Sequence, residues 1–408
     1  MHTERSDRKN VVLLVLVAAL GYFVDIYDLL LFSIVRVESL KDIGVSAEDS
    51  RRMGEYVMNT QMAGLLLGGI LWGIIGDKFG RIRVLFGSIL LYSVANVVNG
   101  FVQDVDSYAL IRFIAGIGLA GELGAGITLV SETMSKEKRG YGTMIVAVIG
   151  LFGAVAANLV AHKYAWRTAY FVGGGLGFVL LLLRVGTFES GMYKHVKESA
   201  VTRGGFKLIF SDRKRLFRYL YCILIGIPLW FVVGILIAQS PEFGKALGAT
   251  GVLTAGAGIM YSYIGISVGD IFAGLLAQWT KSRKLAIFIF LMLSLGTVIF
   301  YLNYKGISPE TFQWLAFVMG LGVGYWATFV TIAAEQFGTN IRATVTTTVP
   351  NFVRGSLIPI TFIFEFFVHH FDIITAGYIM MLALTGLSLF ALSRLKETFS
   401  KDLDYLEE

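Results

Sequence analysis

The sequence predicts an all-α membrane protein of twelve transmembrane helices, arranged as two six-helix pseudo-repeat halves with both termini cytoplasmic. Three observations carry that class. Hydrophobic residues make up 55% of the 408, charged residues only 16%, and the mean hydropathy is +0.69, far from the mix of a soluble domain. Apolar runs of about 20 residues, the length of helix that crosses a ~30 Å hydrocarbon core, recur from one end of the chain to the other. Runs such as "VLLLLR" and "IFIFLMLSL" lack the strict alternation of a transmembrane strand.

The first span, residues 11–35, is too long for a signal-peptide core, carries Asp25 and Asp28, and has no small-residue cleavage site behind it, so it reads as retained. Spans follow at 56–76, 84–103, 108–131, 141–161 and 168–187, closing an N-terminal bundle over 1–187. Residues 188–215, "FESGMYKHVKESAVTRGGFKLIFSDRKR", are the least apolar stretch and read as a cytoplasmic interdomain loop. Its "FKLIF" followed by "DRKR" suits either a short amphipathic segment on the inner leaflet or a solvated basic linker. The C-terminal bundle, 216–408, holds spans at 216–238, 252–278, 285–303, 312–334, 343–368 and 373–393, followed by a short cytoplasmic tail.

Most of the 35 Lys and Arg fall in segments on the N-terminal side of the membrane, which places both termini inside. The net charge of +6 is then mostly topology signal and attraction to anionic lipid, and no basic arm interleaved with aromatics points to nucleic acid. The single Cys222, inside span 7, rules out an intrachain disulfide and a cysteine metal site.

Internal similarity supports a parallel repeat. "SETMSKEKRG" after span 4 and "AEQFGTNIRA" after span 10 both place Glu seven residues before Arg, giving Glu132 with Arg139 and Glu335 with Arg342. "GIIGDKFGRIR" after span 2 aligns at nearly the same offset with "GLLAQWTKSRK" after span 8, where Gly274 and the basic end survive and Gln278 replaces the Asp.

With these motifs the sequence resembles the major facilitator superfamily over essentially its whole length. "GIIGDKFGRIR" is similar to that family's signature loop between spans 2 and 3, with Gly73, Asp77, Gly80, Arg81 and Arg83 at matching positions. "FVDIYDLLLF" in span 1 and "RFIAGIGLAGELGAG" in span 4 look most like the metabolite:proton symporters of the sugar-porter-like branch, and "FESGMY" looks like their Glu-Ser-Pro loop with Gly191 in place of Pro. Span 5 reads "GLFGAVAANL" without the Gly-Pro antiporter signature, which weighs against an exporter. The resemblance implies a cytoplasmic latch made by Gly73, Asp77, Gly80, Arg81, Arg83, Glu132, Arg139, Glu335 and Arg342, closed when the carrier faces outward. In physical terms the glycines allow a sharp turn and close helix packing, and Asp77 sits where it can meet a helix N-terminus or Arg139. The plainer alternative is a tight turn dressed with positive-inside residues.

Chemistry belongs to ionisable groups buried in spans, each costing at least ~2.5 kcal/mol at the bilayer centre unless it faces protein or water. Asp25 and Asp28 lie one turn apart on span 1, Arg112 and Glu122 on span 4, Asp270 on span 8 and Arg354 on span 11. In related symporters an Asp near the position of Asp28 pairs with the Arg of span 4 and releases it on protonation, a role the resemblance carries to Asp28 and Arg112. Which of Asp25 and Asp28 titrates stays open, as does a static pair that only specifies packing. Glu122 stands as a second proton site or as the partner of an arginine. In "TVPNFVRGSLIP", Asn351 precedes Arg354 by one turn and Pro350 and Pro359 flank them, suggesting a kinked helix that lines a cavity. Arg354 then either clamps a substrate carboxylate with its planar fork or pairs internally with Asp270 or Glu365.

Tyr22, Tyr27, Trp230, Tyr261, Tyr325 and Trp326 are candidate walls of the site, with Asp270 among the substrate contacts. No metal-ligand spacing, phosphate-cradling loop or nucleophile constellation is present, so neither an enzyme, a cofactor nor an ATP-driven pump is expected. The expected activity is proton-coupled import of a small metabolite, a carboxylate or amino acid, by a monomer in the cell inner membrane whose partners are substrate, proton and lipid bilayer. An exporter, a carrier of organic cations and a transport-inactive membrane sensor are the alternatives. A sugar is disfavoured because span 7 offers only Gln239, near its end.

Overall fold

The computed structural model describes residues 2–79, 81–122, 124, 126, 139–189, 207–399 and 407. Among them the fold is all helix, with no strand. Helices α1 (His2–Asp42), α2 (Ser50–Phe79), α3 (Arg81–Asn99), α4 (Val105–Leu119), α5 (Arg139–Lys163) and α6 (Trp166–Glu189) precede residues 190–206. After them come α7 (Lys207–Ser211), α8 (Arg213–Phe231) with a π-helical extension Val232–Ile237, α9 (Ser240–Ala246), α10 (Ala255–Thr280), α11 (Arg283–Asn303), α12 (Pro309–Gly322), α13 (Trp326–Glu335), α14 (Thr339–Gly355), α15 (Leu357–His370) and α16 (Ile373–Arg394). Ten helical stretches are long and apolar enough to cross a membrane, and Arg83–Asn99 is a shorter apolar helix.

Starts are set by side chains that accept from first-turn amides. Asp104 caps α4 at Ser107 N, Asp212 caps α8 at Lys214 and Arg215 N, and Asp372 caps α16 at Ile374 and Thr375 N. At α11 the cap Ser282 has a helper from the tail: Glu397 accepts from Ser282 Oγ and from the backbone N–H of Arg283 and Lys284. Burial pushes the Glu397 carboxyl up, but these donors outweigh it and hold it down at about 2.

Three spans are interrupted where continuous hydropathy gave no warning. Pro228 lies inside α8, and a proline lacks the N–H that would bond the carbonyl four residues back. Ser388 Oγ, 2.7 Å from Leu224 O and 2.8 Å from Leu384 O, shares its one proton between that carbonyl and its own turn, and the helix then widens into the π turn, with Ala238 N bonded to Val233 O. The span Pro309–Glu335 breaks at residues 323–325 between α12 and α13. The kink expected in the stretch flanked by Pro350 and Pro359 lies between them at Ser356, where α14, having run through Pro350 to Gly355, gives way to α15.

Glycines set the closest approaches. Gly265 and Gly269 of α10 face Gly320 and Gly324 of the broken span, where an added Cβ would lie 2.0–2.6 Å from the opposing backbone. Gly153 of α5 stands in the same way 2.1 Å from Phe23 O of α1. One buried apolar cluster runs through most of the helices, and a second gathers Tyr27, Phe32, Tyr108, Trp166 and Tyr170 around the first helix.

Of the span expected at 108–131, the part to Leu119 is in α4; most residues beyond it lie outside the described ones. In the loop expected at 188–215, α7 covers Lys207–Ser211, with Ile209 buried and Phe210 exposed.

Candidate functional site

α1 carries the site. Gly21, Asp25 and Asp28 repeat at helical spacing on one face, and each meets a different arginine. Asp28 Oδ1 accepts from Arg112 Nη1 at 2.9 Å, and both side chains are fully buried. Arg112 Nη2 also donates to Asn96 Oδ1 at 2.6 Å, and an Asn99 amide turned oxygen-inward accepts from its Nε at 2.7 Å. The guanidinium carbon lies 4.9 Å from the Tyr170 ring, whose hydroxyl bonds that of Tyr108 at 2.7 Å. Arg112 is thus held by several neighbours, while Asp28 Oδ2 has no partner among the described residues.

The second pair crosses between the first and last thirds of the chain. Arg354 Nη2 of α14 donates to Asp25 Oδ2 at 3.4 Å, with Arg354 1% and Asp25 0% exposed. Arg354 Nε and Nη1, and Asp25 Oδ1, have no partner among the described residues. Nor have the indole N–H groups of Trp230 and Trp326, both buried, the latter's ring 5.8 Å from the guanidinium. Unmet buried donors are costly. Two unmet guanidinium nitrogens with the Trp326 indole beside them suit an oxygen anion.

Neither internal partner expected for Arg354 is its partner. Asp270 instead accepts from Ala327 N at the start of α13, at 2.9 Å, and Glu365 receives a two-pronged bond from Arg51 at 2.6 and 2.7 Å. Asn351 donates to Ala120 O at 2.9 Å and to Thr347 O, which ties α14 to the end of α4. Tyr325 donates to Ile225 O at 3.1 Å, and Tyr261 is only half-buried.

The third pair was half visible in the sequence. Glu122 forks with Arg184 of α6, both almost fully buried. A Cβ at Gly21 would collide with both, so the glycine makes their room. Arg184 ends the apolar run "VLLLLR" and reads in the sequence as an inner-end basic residue; its burial at 2% places it in the interior instead. Asp25, Asp28 and Glu122 therefore face Arg354, Arg112 and Arg184 one to one. Glu365 is paired with Arg51, and Asp270 is the buried acid of the spans left without an arginine among the described residues.

At the end of the bundle where α1 stops, further pairs join helices from the two ends of the sequence. Arg36 bonds Glu242 at 2.6 Å, Arg51 bonds Glu365, and Gln239 donates to Glu55 at 2.9 Å. The cavity between them, lined by Arg36, Glu55, Gln239, Leu357 and Thr361, measures about 20 Å³, the room of a single water.

At the opposite end the expected latch is only partly within the described residues. Gly80 and Glu132 lie outside them, and only the backbone is described for Asp77, Arg81 and Arg139. Arg83 is exposed, and a Cβ added at Gly73 would come within 3.9 Å of Thr348 Cγ2, ordinary contact among the described residues. Glu335 forks with Arg283 at 2.6 and 2.8 Å, while Arg342 Nε donates to the carbonyls of Ala334 and Phe337. Arg342 thus reaches back to the end of the preceding helix, while Glu335 is tied to the start of α11.

A helical bundle with membrane-length apolar stretches and ion pairs enclosed at its middle defines an integral membrane carrier. The chain belongs to the Major Facilitator Superfamily, whose profile matches residues 13–356. Its relatives are transporters and not enzymes. A Haemophilus influenzae chain named for metabolite transport is 28% identical over 364 residues, 83% of this chain and 84% of that one. The cis,cis-muconate transport protein of Acinetobacter baylyi is 27% identical, covering 81% of each. Among solved structures, the proton:xylose symporter XylE superposes with a TM-score of 0.69 over 97% of this chain and 98% of that one, at 18% identity, a likeness of fold.

Proposed function

We propose that this protein imports a small organic carboxylate together with a proton by alternating access. In this reading twelve spans form two halves, 1–187 and 216–408, joined by the loop 188–215, with both termini cytoplasmic and the chain in the cell inner membrane. The observation that carries it is the Asp25–Arg354 pair: one long hydrogen bond at 3.4 Å, with two guanidinium donors left over.

A carboxylate entering beside Arg354 competes with Asp25 for the same cation. With both ionised the site holds one positive and two negative charges in a low-dielectric interior, which is unfavourable. A proton on Asp25 removes the conflict and releases the arginine's fork to the substrate. Substrate and proton thus enter together. The Asp28–Arg112 pair, closer at 2.9 Å and with its guanidinium held by Asn96 as well, stays ionic in this scheme and braces α1 against α4, so the proton assigned from the family resemblance to Asp28 moves one turn to Asp25. A relative named for muconate, a dicarboxylate, agrees with the substrate class.

The test is a thermal-shift and uptake screen of carboxylates, amino acids, amines and sugars on wild type and Arg354→Lys. A carboxylate should stabilise and be transported by wild type, driven by an inward proton gradient, and lose about ten- to a hundredfold in affinity in the variant, the size of a lost charged fork. Preference for an amine, or uptake indifferent to a protonophore, refutes the reading.

A further inference from the structure

Asp270 is a buried acid that the scheme above leaves unused. It is 3% exposed on α10, one residue after Gly269. Gly269 is in backbone contact with Gly324 in the middle of the break between α12 and α13: a Cβ on either would lie within 2.8 Å of the other's Cα. The carboxylate therefore projects from the point where the two spans touch.

A helix that restarts inside a membrane has first-turn N–H groups without acceptors, and lipid supplies none. The residue in the capping position, Tyr325, gives no side-chain bond. Asp270 Oδ1 supplies it from the neighbouring span, accepting from Ala327 N at 2.9 Å, and its charge suits the positive end of the helix dipole. Trp326, the first residue of α13, sits directly beside that bond and presents its ring 5.8 Å from the Arg354 guanidinium. Whatever fixes the start of α13 fixes this indole.

We propose that Asp270 is a positioning residue: by capping α13 from α10 it locks the break in the span and aims Trp326 at the group held by Arg354. Its function in binding rests on the Arg354 reading; its effect on Trp326 does not. Asp270 touches no substrate, and it sets affinity through the tryptophan.

The experiment uses full-length protein labelled with 5-fluorotryptophan, the ¹⁹F resonances of Trp326 and Trp230 being assigned with Trp326→Phe and Trp230→Phe. Asp270→Ala should shift or broaden the Trp326 resonance, leave that of Trp230 in place, and speed hydrogen exchange at Ala327. Asp270→Asn, which keeps an acceptor oxygen, should restore most of both. With benzoate as the probe, Asp270→Ala should raise Kd about three- to tenfold, the worth of one aromatic contact. The double variant with Trp326→Ala should be no worse than Trp326→Ala alone. A Trp326 resonance and an Ala327 exchange rate unchanged in Asp270→Ala overturn the proposal, as do additive losses of benzoate affinity. A Trp326 resonance that moves with Asp270→Ala, in a protein that binds no benzoate, supports the positioning and counts against the Arg354 reading.

Discussion

Replacing Asp25 by Asn keeps the shape of the side chain and removes its charge, so it isolates the competition for Arg354. At 3.4 Å and an effective dielectric of about 20, two unit charges attract by about 5 kcal/mol. Two carboxylates sharing that guanidinium at about 5 Å from each other repel by about 3 kcal/mol on the same scale. Relaxation and hydration take back part of this, leaving about 2 kcal/mol, or about thirtyfold in Kd, as the penalty that an ionised Asp25 puts on an anionic substrate. Wild-type affinity should therefore fall as pH rises, approaching tenfold per pH unit where one proton is taken up with each substrate. Asp25→Asn should bind at every pH as wild type binds at its acidic plateau. Calorimetric titration of the purified proteins from pH 5 to 9 reads this directly. In proteoliposomes the variant should keep substrate counterflow and lose accumulation driven by a proton gradient. If Asp25→Asn retains the wild-type slope of affinity against pH, the proton is carried elsewhere and the competition argument fails.

Other outcomes follow from the remaining charges. Removing one side of the Glu122–Arg184 pair strands the other in the interior, so Glu122→Gln or Arg184→Gln should each cost about 3–5 kcal/mol and lower Tm by several degrees, while the double variant recovers most of it; equal and additive losses would show that the two do not depend on each other. Glu365→Gln should loosen the Arg51 closure by about 1–2 kcal/mol, so a cysteine at Thr361, which lines the cavity there, should react about five- to thirtyfold faster with an impermeant maleimide. The native thiol, Cys222, is fully buried and silent, and an unchanged rate would mean that this pair does not hold the end shut. Glu397 is held below its unfolded range, so it stabilises the fold above about pH 4.5 and loses that contribution as pH falls through about 2. Glu397→Gln should therefore lower Tm at pH 7 and converge on wild type in acid; a gap that persists at pH 2 would point to packing.

Hydropathy and length made most of the spans legible, since a helix in hydrocarbon must be long and apolar wherever it sits. The break at residues 323–325 was not, because hydropathy records side chains and is blind to which backbone carbonyl or amide has found a partner. Pro350 and Pro359 bracketed the break at Ser356 without fixing it, since a membrane helix keeps running through a proline when its neighbours hold it. Asp25 and Arg354 were both visible as buried charges, but they are 329 residues apart, and no spacing rule reaches across that distance. Arg184 was hidden by position, since an arginine closing an apolar run has the same appearance whether it reaches for the interface or turns inward. The matched Glu335 and Arg342 spacing pointed to a repeat, and a repeat of spacing does not say which partner each residue takes: Glu335 bonds Arg283.

The bond from Ser388 to the carbonyl of Leu224 fixes the order in which this protein can change. Pro228 created the orphan carbonyl and Ser388 covers it, yet the two do not depend on each other equally. With alanine at 228 the helix satisfies its own carbonyl and the serine becomes dispensable, whereas alanine at 388 beside an intact proline leaves an acceptor bare in hydrocarbon. Pro228→Ala therefore leaves that carbonyl satisfied by its own helix, while Ser388→Ala does so only once the proline has gone.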